Sequence, residues 1–370
     1  MATASLFARQ SLLVGHIALG LLIGPNVLGW VHDTHLLAGI AHIGIVFLLF
    51  LLGLNLQIKN LSAMLGRSIL VTLGSSLAFS ALGMGVGRLF GYTWTDCVFI
   101  GASMMFSSTI LGLKLLPTTV LHHRHAGEIM VSILLLQDVL AILFLLASKG
   151  YADDSAPLLQ AAWLVLSLPG LVAVALAAER WLLIPLITKF DKFQEYIFLL
   201  TIGWCLGLAA FAEFIGLSHE IGAFVAGVAL ATNPIALFIA ERLKPLRDFF
   251  LVVFFVSLGA GFNLIILPQV AFPAFVLAAL MLAIKPGVFQ WLLIRTGEEN
   301  KLSWEMGVRL GQISEFSLLI AVAGLSGGLI SAQASFLIQT ATLLTFVLSS
   351  YAIVMFFPTP IALVDSLRRD

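Results

Sequence analysis

Apolar runs of about twenty residues follow one another from near residue 10 to residue 357, separated by short polar stretches. Each run is long enough to cross a bilayer. Hydrocarbon forces every backbone N–H and C=O to be satisfied within the chain, so the runs are read as helices. The pattern predicts twelve spans, at about 10–31, 35–56, 65–90, 94–117, 128–149, 157–190, 193–215, 219–239, 247–267, 270–295, 302–325 and 331–357. The sixth is longer than a bilayer needs and carries Pro169 and Pro185, so it is expected to tilt or break. MATASLFARQ leads straight into the first span, with no secretory signal pattern. No soluble domain is read after the last span, and residues 1–370 read as a single all-α, polytopic membrane domain.

Composition agrees. The 370 residues are 60% hydrophobic and 10% charged, where a soluble domain carries about 25% charged residues. The net charge of zero and the lack of a basic patch give no reason to expect a nucleic-acid partner. Cys97 and Cys205 lie in apolar segments without metal-ligand spacing and read as small packing residues.

Charge placement orients the spans. Alternating them puts Arg9, Lys59, Arg67, Arg124, Arg180, Lys189, Lys192, Arg242, Lys244, Arg247, Arg295, Lys301, Arg368 and Arg369 on one side, against Arg88 and Lys149 on the other. The rich side is cytoplasmic by the positive-inside rule, and both termini fall there.

The chain also repeats itself. GLLIGPNVLG near residue 20 returns as AGVALATNP near 227, FLLGLNL at 50–56 as FVSLGAGFNL at 255–264, and the Ser107-Ser108-Thr109 interruption as Ser314-Glu315. The matches stand roughly 206–209 positions apart and join spans separated by an odd number, so the two copies face opposite ways. The first repeat is 10–149, the second 193–357, and 157–190 is a linker helix. Span seven has no counterpart ahead of span one, so the first repeat is one span short.

Four features could carry chemistry. Asp138 sits mid-span in EIMVSILLLQDVLAILFLLASK, where an ionised carboxylate costs at least about 2.5–3.5 kcal/mol and marks a functional site. Gln137 beside it can donate and accept but not ionise. Lys285, in MLAIKPGVF, needs a partner, for which Asp138 is the obvious candidate; otherwise it snorkels to an interface. Ser107, Ser108 and Thr109, and Gln312, Ser314 and Glu315, mark two interrupted helices whose free carbonyls and hydroxyls can ligate a cation or bond their own backbone. Glu315 is either a second titrating acid or, the favoured reading, a structural partner of Arg309. Hard oxygen donors with one carboxylate suit an alkali cation or a proton rather than a transition metal, and no cofactor is called for. The HHRH stretch of His122, His123 and His125 looks metal-like but reads better as a solvated loop, and Asp153, Asp154, Glu213 and Glu220 form either an acidic funnel for cations or, the favoured reading, plain exposed charges.

LLLQDVLAI, SSTILGLKLL, HEIGAFVAGVAL, FFVSLGAGFNL and RLGQISEFSLLI together resemble the monovalent cation:proton antiporter-2 family, closest to the membrane domain of Kef-type potassium/proton antiporters. The resemblance runs from about Ser11 to the end of the spans and implies a sodium/proton-antiporter-like inverted-repeat fold with two crossed, broken helices. It implies an elevator-like exchanger of K+, more than Na+, for H+, with no catalytic residue, working as a homodimer in a bacterial inner membrane. Asp138 matches the family's essential aspartate and Lys285 its span-ten lysine, while Gln137 stands where two-carboxylate members carry a second acid. That difference favours a one-for-one, electroneutral exchange. The chain departs at Asn55 and Asn263, where an acid is common, in lacking a following regulatory nucleotide-binding domain, and in having twelve spans where the family has thirteen. The rival readings are a sodium-coupled symporter of a small organic anion, an intramembrane aspartyl protease, which needs a second mid-span aspartate that the chain lacks, and a non-transporting regulatory membrane protein.

Overall fold

The computed structural model describes residues 12–25, 27–31, 34–55, 58–114, 125–149, 157–190, 192–262 and 264–358, and every described element is helical. In chain order these are α1 (Leu12–Ile23), α2 (Thr34–Asn55), α3 (Ile58–Leu89), α4 (Trp94–Met104), α5 (Thr109–Lys114), α6 (His125–Lys149), α7 (Pro157–Ala178), α8 (Ile184–Lys189), α9 (Gln194–Phe214), α10 (His219–Ala231), α11 (Ile235–Ala260), α12 (Leu267–Arg295), α13 (Asn300–Arg309), α14 (Glu315–Ser326) and α15 (Ala332–Phe356). Among the described residues, five helical stretches are long and apolar enough to cross a membrane by themselves: Ser68–Leu89, Ser167–Lys189, Gln194–Phe214, Leu267–Arg295 and Ala332–Phe356.

Local chemistry sets several boundaries. Thr93, Ser218 and Ser331 are N-caps whose hydroxyls accept the backbone N–H of Asp96, Ile221 and Ala334, satisfying donors that a helix start leaves free. The long sixth run does not stop at Pro169, which lies inside α7; it passes through a π turn over Glu179–Leu183, and Pro185 then occupies the first turn of α8. The eighth and ninth runs differ from the pattern. α10 stops at Ala231, and the chain turns through Thr232-Asn233-Pro234, with Asn233 Oδ1 accepting Ile235 N at 3.1 Å. One continuous α11 then runs from Ile235 to Ala260, across the gap that hydropathy places between residues 239 and 247, because its charged middle (Glu241 to Asp248) is helix-forming as well as polar.

The chain packs as two units, each assembled from separate stretches. One comprises Met1–Gly15, Ala63–Ser148 and Phe262–Asp370; the other His16–Ser62 and Lys149–Gly261. In the second unit two helix crossings bring backbones into contact at glycine. Gly20 and Gly259 lie against the main chain of Val256 and Ile17, and Gly53 and Gly227 against that of Phe224 and Phe50. A Cβ at any of the four would overlap backbone atoms, which explains why these apolar helices keep glycines that cost intrinsic helix stability.

In the first unit α3, α4, α6 and α12 to α15 enclose a core containing Phe79, Phe106, Phe289 and Phe346. Asp96, near the start of α4, accepts from Ser331 N at 2.8 Å and Ser331 Oγ at 3.2 Å, tying the starts of α4 and α15 together.

Candidate functional site

Two helices of the first unit are interrupted in mid-course. Helical structure stops at Met104 and resumes at Thr109; further along it stops at Arg309 and resumes at Glu315. Each restart is capped by serine: Ser108 Oγ accepts Leu111 N, and Ser314 Oγ accepts Phe316 N, both at 3.1 Å. An interruption inside a packed core frees backbone groups that must find partners, so their bonding is a complete accounting question.

Many of these groups are taken up by side chains from α6, α12 and α15. From α6, Gln137 accepts Ser107 N through Oε1 at 3.0 Å and donates through Nε2 to Met105 O at 3.2 Å. From α12, the Lys285 ammonium donates to Phe106 O at 2.8 Å and to Gln312 O at 3.0 Å, one carbonyl from each break, with the Phe79 ring 5.0 Å away on a third side. Between the breaks, Ser107 Oγ donates to Leu310 O at 2.8 Å and Gln312 Nε2 to Ser108 O at 3.3 Å. From α15, Thr345 Oγ1 accepts Ile313 N at 3.1 Å and Ser349 Oγ donates to the Gln312 side-chain oxygen at 3.2 Å. Ser317, one turn into α14, donates to Ser103 O.

Asp138 is fully buried beside this arrangement. Thr109, the first residue of the resumed helix, donates to its carboxylate, with Oγ1 at 3.2 and 3.4 Å from the two oxygens. Glu315, also buried, lies within electrostatic reach of the same carboxylate. The unit therefore gathers all nine sequence-nominated residues: Gln137, Asp138, Lys285, Ser107, Ser108, Thr109, Gln312, Ser314 and Glu315.

Two details differ from the sequence expectation. Lys285 is not ion-paired with Asp138: its ammonium is taken up by two carbonyls, which a flexible, three-donor group reaches more readily than one carboxylate on a neighbouring helix. Lys285 is fully buried, so it does not snorkel either. Arg309 pairs with Glu305, one turn earlier, at 2.8 Å, and also donates to Pro358 O, so it has a local carboxylate that the sequence reading did not name. In the other unit, Glu213 is exposed as expected and lies 2.9 Å from His219, while Glu220 is partly buried and lies 3.0 Å from His42. His122, His123, Asp153, Asp154 and Asn263, and the side chains of Asn55 and His125, lie outside the described residues.

Sequence reasoning passed over Thr345, Ser349 and Phe79. A hydroxyl on an apolar helix ordinarily bonds its own backbone, as Thr342 and Ser350 do here, so composition gives no cause to single out two of them. The signal that could have found Thr345 is register: it stands about as far beyond Gln137 as the second break stands beyond the first.

Comparison with known proteins adds an independent line. The family model for the transmembrane sodium/hydrogen exchanger matches residues 1–357. The iron transporter MagA of Paramagnetospirillum magneticum is 28% identical over 93% of this chain and 79% of its own. K(+) efflux antiporter 6 of Arabidopsis thaliana is 29% identical over 85% of this chain and 54% of its own, so the chain spans about half the length of that relative. The structure of the sodium proton antiporter MjNhaP1 from Methanocaldococcus jannaschii superposes with a TM-score of 0.71, covering 95% of this chain and 93% of that one at 18% identity, which establishes a shared fold. The broken helices, the buried acid and these matches lead to one conclusion: the chain belongs to the transmembrane sodium/hydrogen exchanger family.

Proposed function

We propose that the protein is a secondary transporter, not an enzyme, that exchanges a monovalent cation, K+ in preference to Na+, for H+ across a bacterial inner membrane. The observation that carries this reading is Asp138: an acid with no exposed surface, held by one hydroxyl beside two unwound helix segments. The Asp138 carboxylate is neutral with a proton or with a singly charged cation, and either form crosses a low-dielectric barrier at far lower cost than the bare anion. Proton and cation therefore compete for one site, exchange is one-for-one, and the empty ionised site stays put, which prevents leak. Thr109, the carbonyls of the breaks and Glu315 are the oxygen donors at hand, a hard set that suits an alkali ion. K+ is preferred because the relative in Arabidopsis is named a K(+) efflux antiporter.

Alternating access is elevator-like, with the site-bearing unit as the moving body in a homodimer of twelve-span chains, both termini cytoplasmic. An inverted repeat is supported by contacts that recur under one shift along the chain. The contact of Gly20 with Val256 corresponds to that of Gly227 with Phe50, and Gly101 against Ser80 to Gly307 against Pro286. Phe106 O and Gln312 O, the two carbonyls on Lys285, correspond in the same way.

Everted vesicles loaded with a pH dye test the assignment. K+-driven proton movement is expected from the wild type and none from Asp138→Asn; wild-type rates in the variant would defeat the reading.

A further inference from the structure

Of the eight hydrogen bonds that hold the two breaks from outside and across them, two come from a helix that carries none of the nominated ion-binding residues. Thr345 and Ser349 are four positions apart on α15, hence on one face, and both are buried. Thr345 Oγ1 is itself fixed by donating to Thr342 O at 2.8 Å, so its lone pair is aimed at Ile313 N. Ser349 Oγ donates to Gln312 Oε1; the Gln312 amide is thereby oriented so that Nε2 donates to Ser108 O, in the other break. Ser108 precedes Thr109, whose hydroxyl is the donor to Asp138. Three hydrogen bonds and the Ser108–Thr109 peptide link thus lead from α15 through both breaks to the acid.

Register strengthens the case. Gln137 accepts the free N–H of Ser107 in the first break, and Thr345 accepts the free N–H of Ile313 in the second. Ser107 and Ile313 stand 206 positions apart and Gln137 and Thr345 stand 208 apart, so the two caps occupy similar places in the two halves of the chain. In the first repeat the residue after the cap is Asp138; in the second it is Phe346, which cannot ionise. The second repeat keeps the device that shapes the break and carries no acid beside it.

We propose that Thr345 and Ser349 are positioning residues of the ion site: through Ile313 and Gln312 they set the shape of the second break and the placement of Ser108 and Thr109 against Asp138. The inference rests on the assignment of Asp138 as the exchange site. A positioning role predicts a change in apparent cation affinity, because the ligands are displaced while the titrating acid is untouched. Loss of one buried hydrogen bond corresponds to roughly a five- to tenfold effect.

The test is K+/H+ exchange by the full chain in proteoliposomes over a K+ series at several pH values. Ser349→Ala is expected to raise the KM for K+ about fivefold, with kcat within about twofold, and Ser349→Thr to restore it. Ser349→Ala added to Gln312→Ala is expected to cost nothing further, since both break one connection. A wild-type KM in Ser349→Ala, or full additivity with Gln312→Ala, overturns the proposal. Should Ser349→Ala not assemble, Thr345→Ser (hydroxyl kept) is compared with Thr345→Val (shape kept, hydroxyl lost): a higher KM only in the valine variant supports the role, and equal values overturn it. Asp138→Asn runs alongside. Exchange persisting there defeats the site assignment itself, whereas its loss together with wild-type behaviour of the α15 variants defeats only this inference.

Discussion

Gln137 gives the sharpest test of how the breaks are held. Its amide joins Ser107 N and Met105 O, two backbone groups that have left the helical ladder and sit in a buried region. Gln137→Leu preserves the volume and removes both partners. Each orphaned group costs about 1–3 kcal/mol, so the variant should lose roughly 2–6 kcal/mol from the site-bearing unit. At roughly 2–4 °C per kcal/mol, the melting temperature should fall by about 5–20 °C. The assay is thermal melting of purified protein in detergent, followed by tryptophan fluorescence and by monodispersity. Gln137→Glu divides the effect by pH. A protonated glutamic acid can still donate to Met105 O and accept from Ser107 N, whereas the carboxylate cannot donate. The protonated side chain can thus hold the break as glutamine does, and the carboxylate cannot. Gln137→Glu should approach the wild type in acid and Gln137→Leu at neutral pH and above. Melting of Gln137→Leu within a degree of the wild type would refute the account of how the first break is satisfied.

Other substitutions probe other parts of the fold. Gly227→Ala drives a Cβ into the backbone of α2 at Phe50 and should lower the yield of folded protein sharply, while Gly203→Ala, with open space at its Cβ, should be neutral or stabilise α9 by up to about 1 kcal/mol; melting of the two variants side by side checks this. Asp96→Ala removes both bonds to Ser331 and should cost about 0.5–2 kcal/mol, read as faster hydrogen exchange over the first turn of α15, with Asp96→Asn intermediate.

Much of the architecture is legible because hydrocarbon imposes it. Helix placement follows from apolar runs, and both interruptions are marked by Ser-Ser-Thr and Gln-Ile-Ser-Glu inside otherwise apolar segments. Asp138 stands out because a mid-span acid is expensive. The partners of these groups are not legible in the same way. Lys285 looks like the counter-ion of Asp138 when charge alone is considered. The breaks, however, create carbonyl acceptors that composition does not display, and the ammonium goes to two of them. The same blindness hides Thr345 and Ser349, whose acceptor and donor exist only once the second break has formed. The sequence reading set Arg309 beside Glu315 alone and overlooked Glu305, one helical turn back, which pairs with it. The division of α10 from α11 at Asn233-Pro234 was missed because a smoothed hydropathy pattern weighs charge at 241–248 more than a proline turn at 234.

The central claim is that one buried carboxylate holds either a proton or an alkali ion. Purified protein in weakly buffered detergent solution, titrated with KCl against choline chloride as the ionic-strength control, reports on this directly through a pH indicator. The account predicts that the wild type releases protons on K+ addition, saturably and at most one per chain, and that Asp138→Asn releases none. Proton release from Asp138→Asn equal to that of the wild type would contradict it.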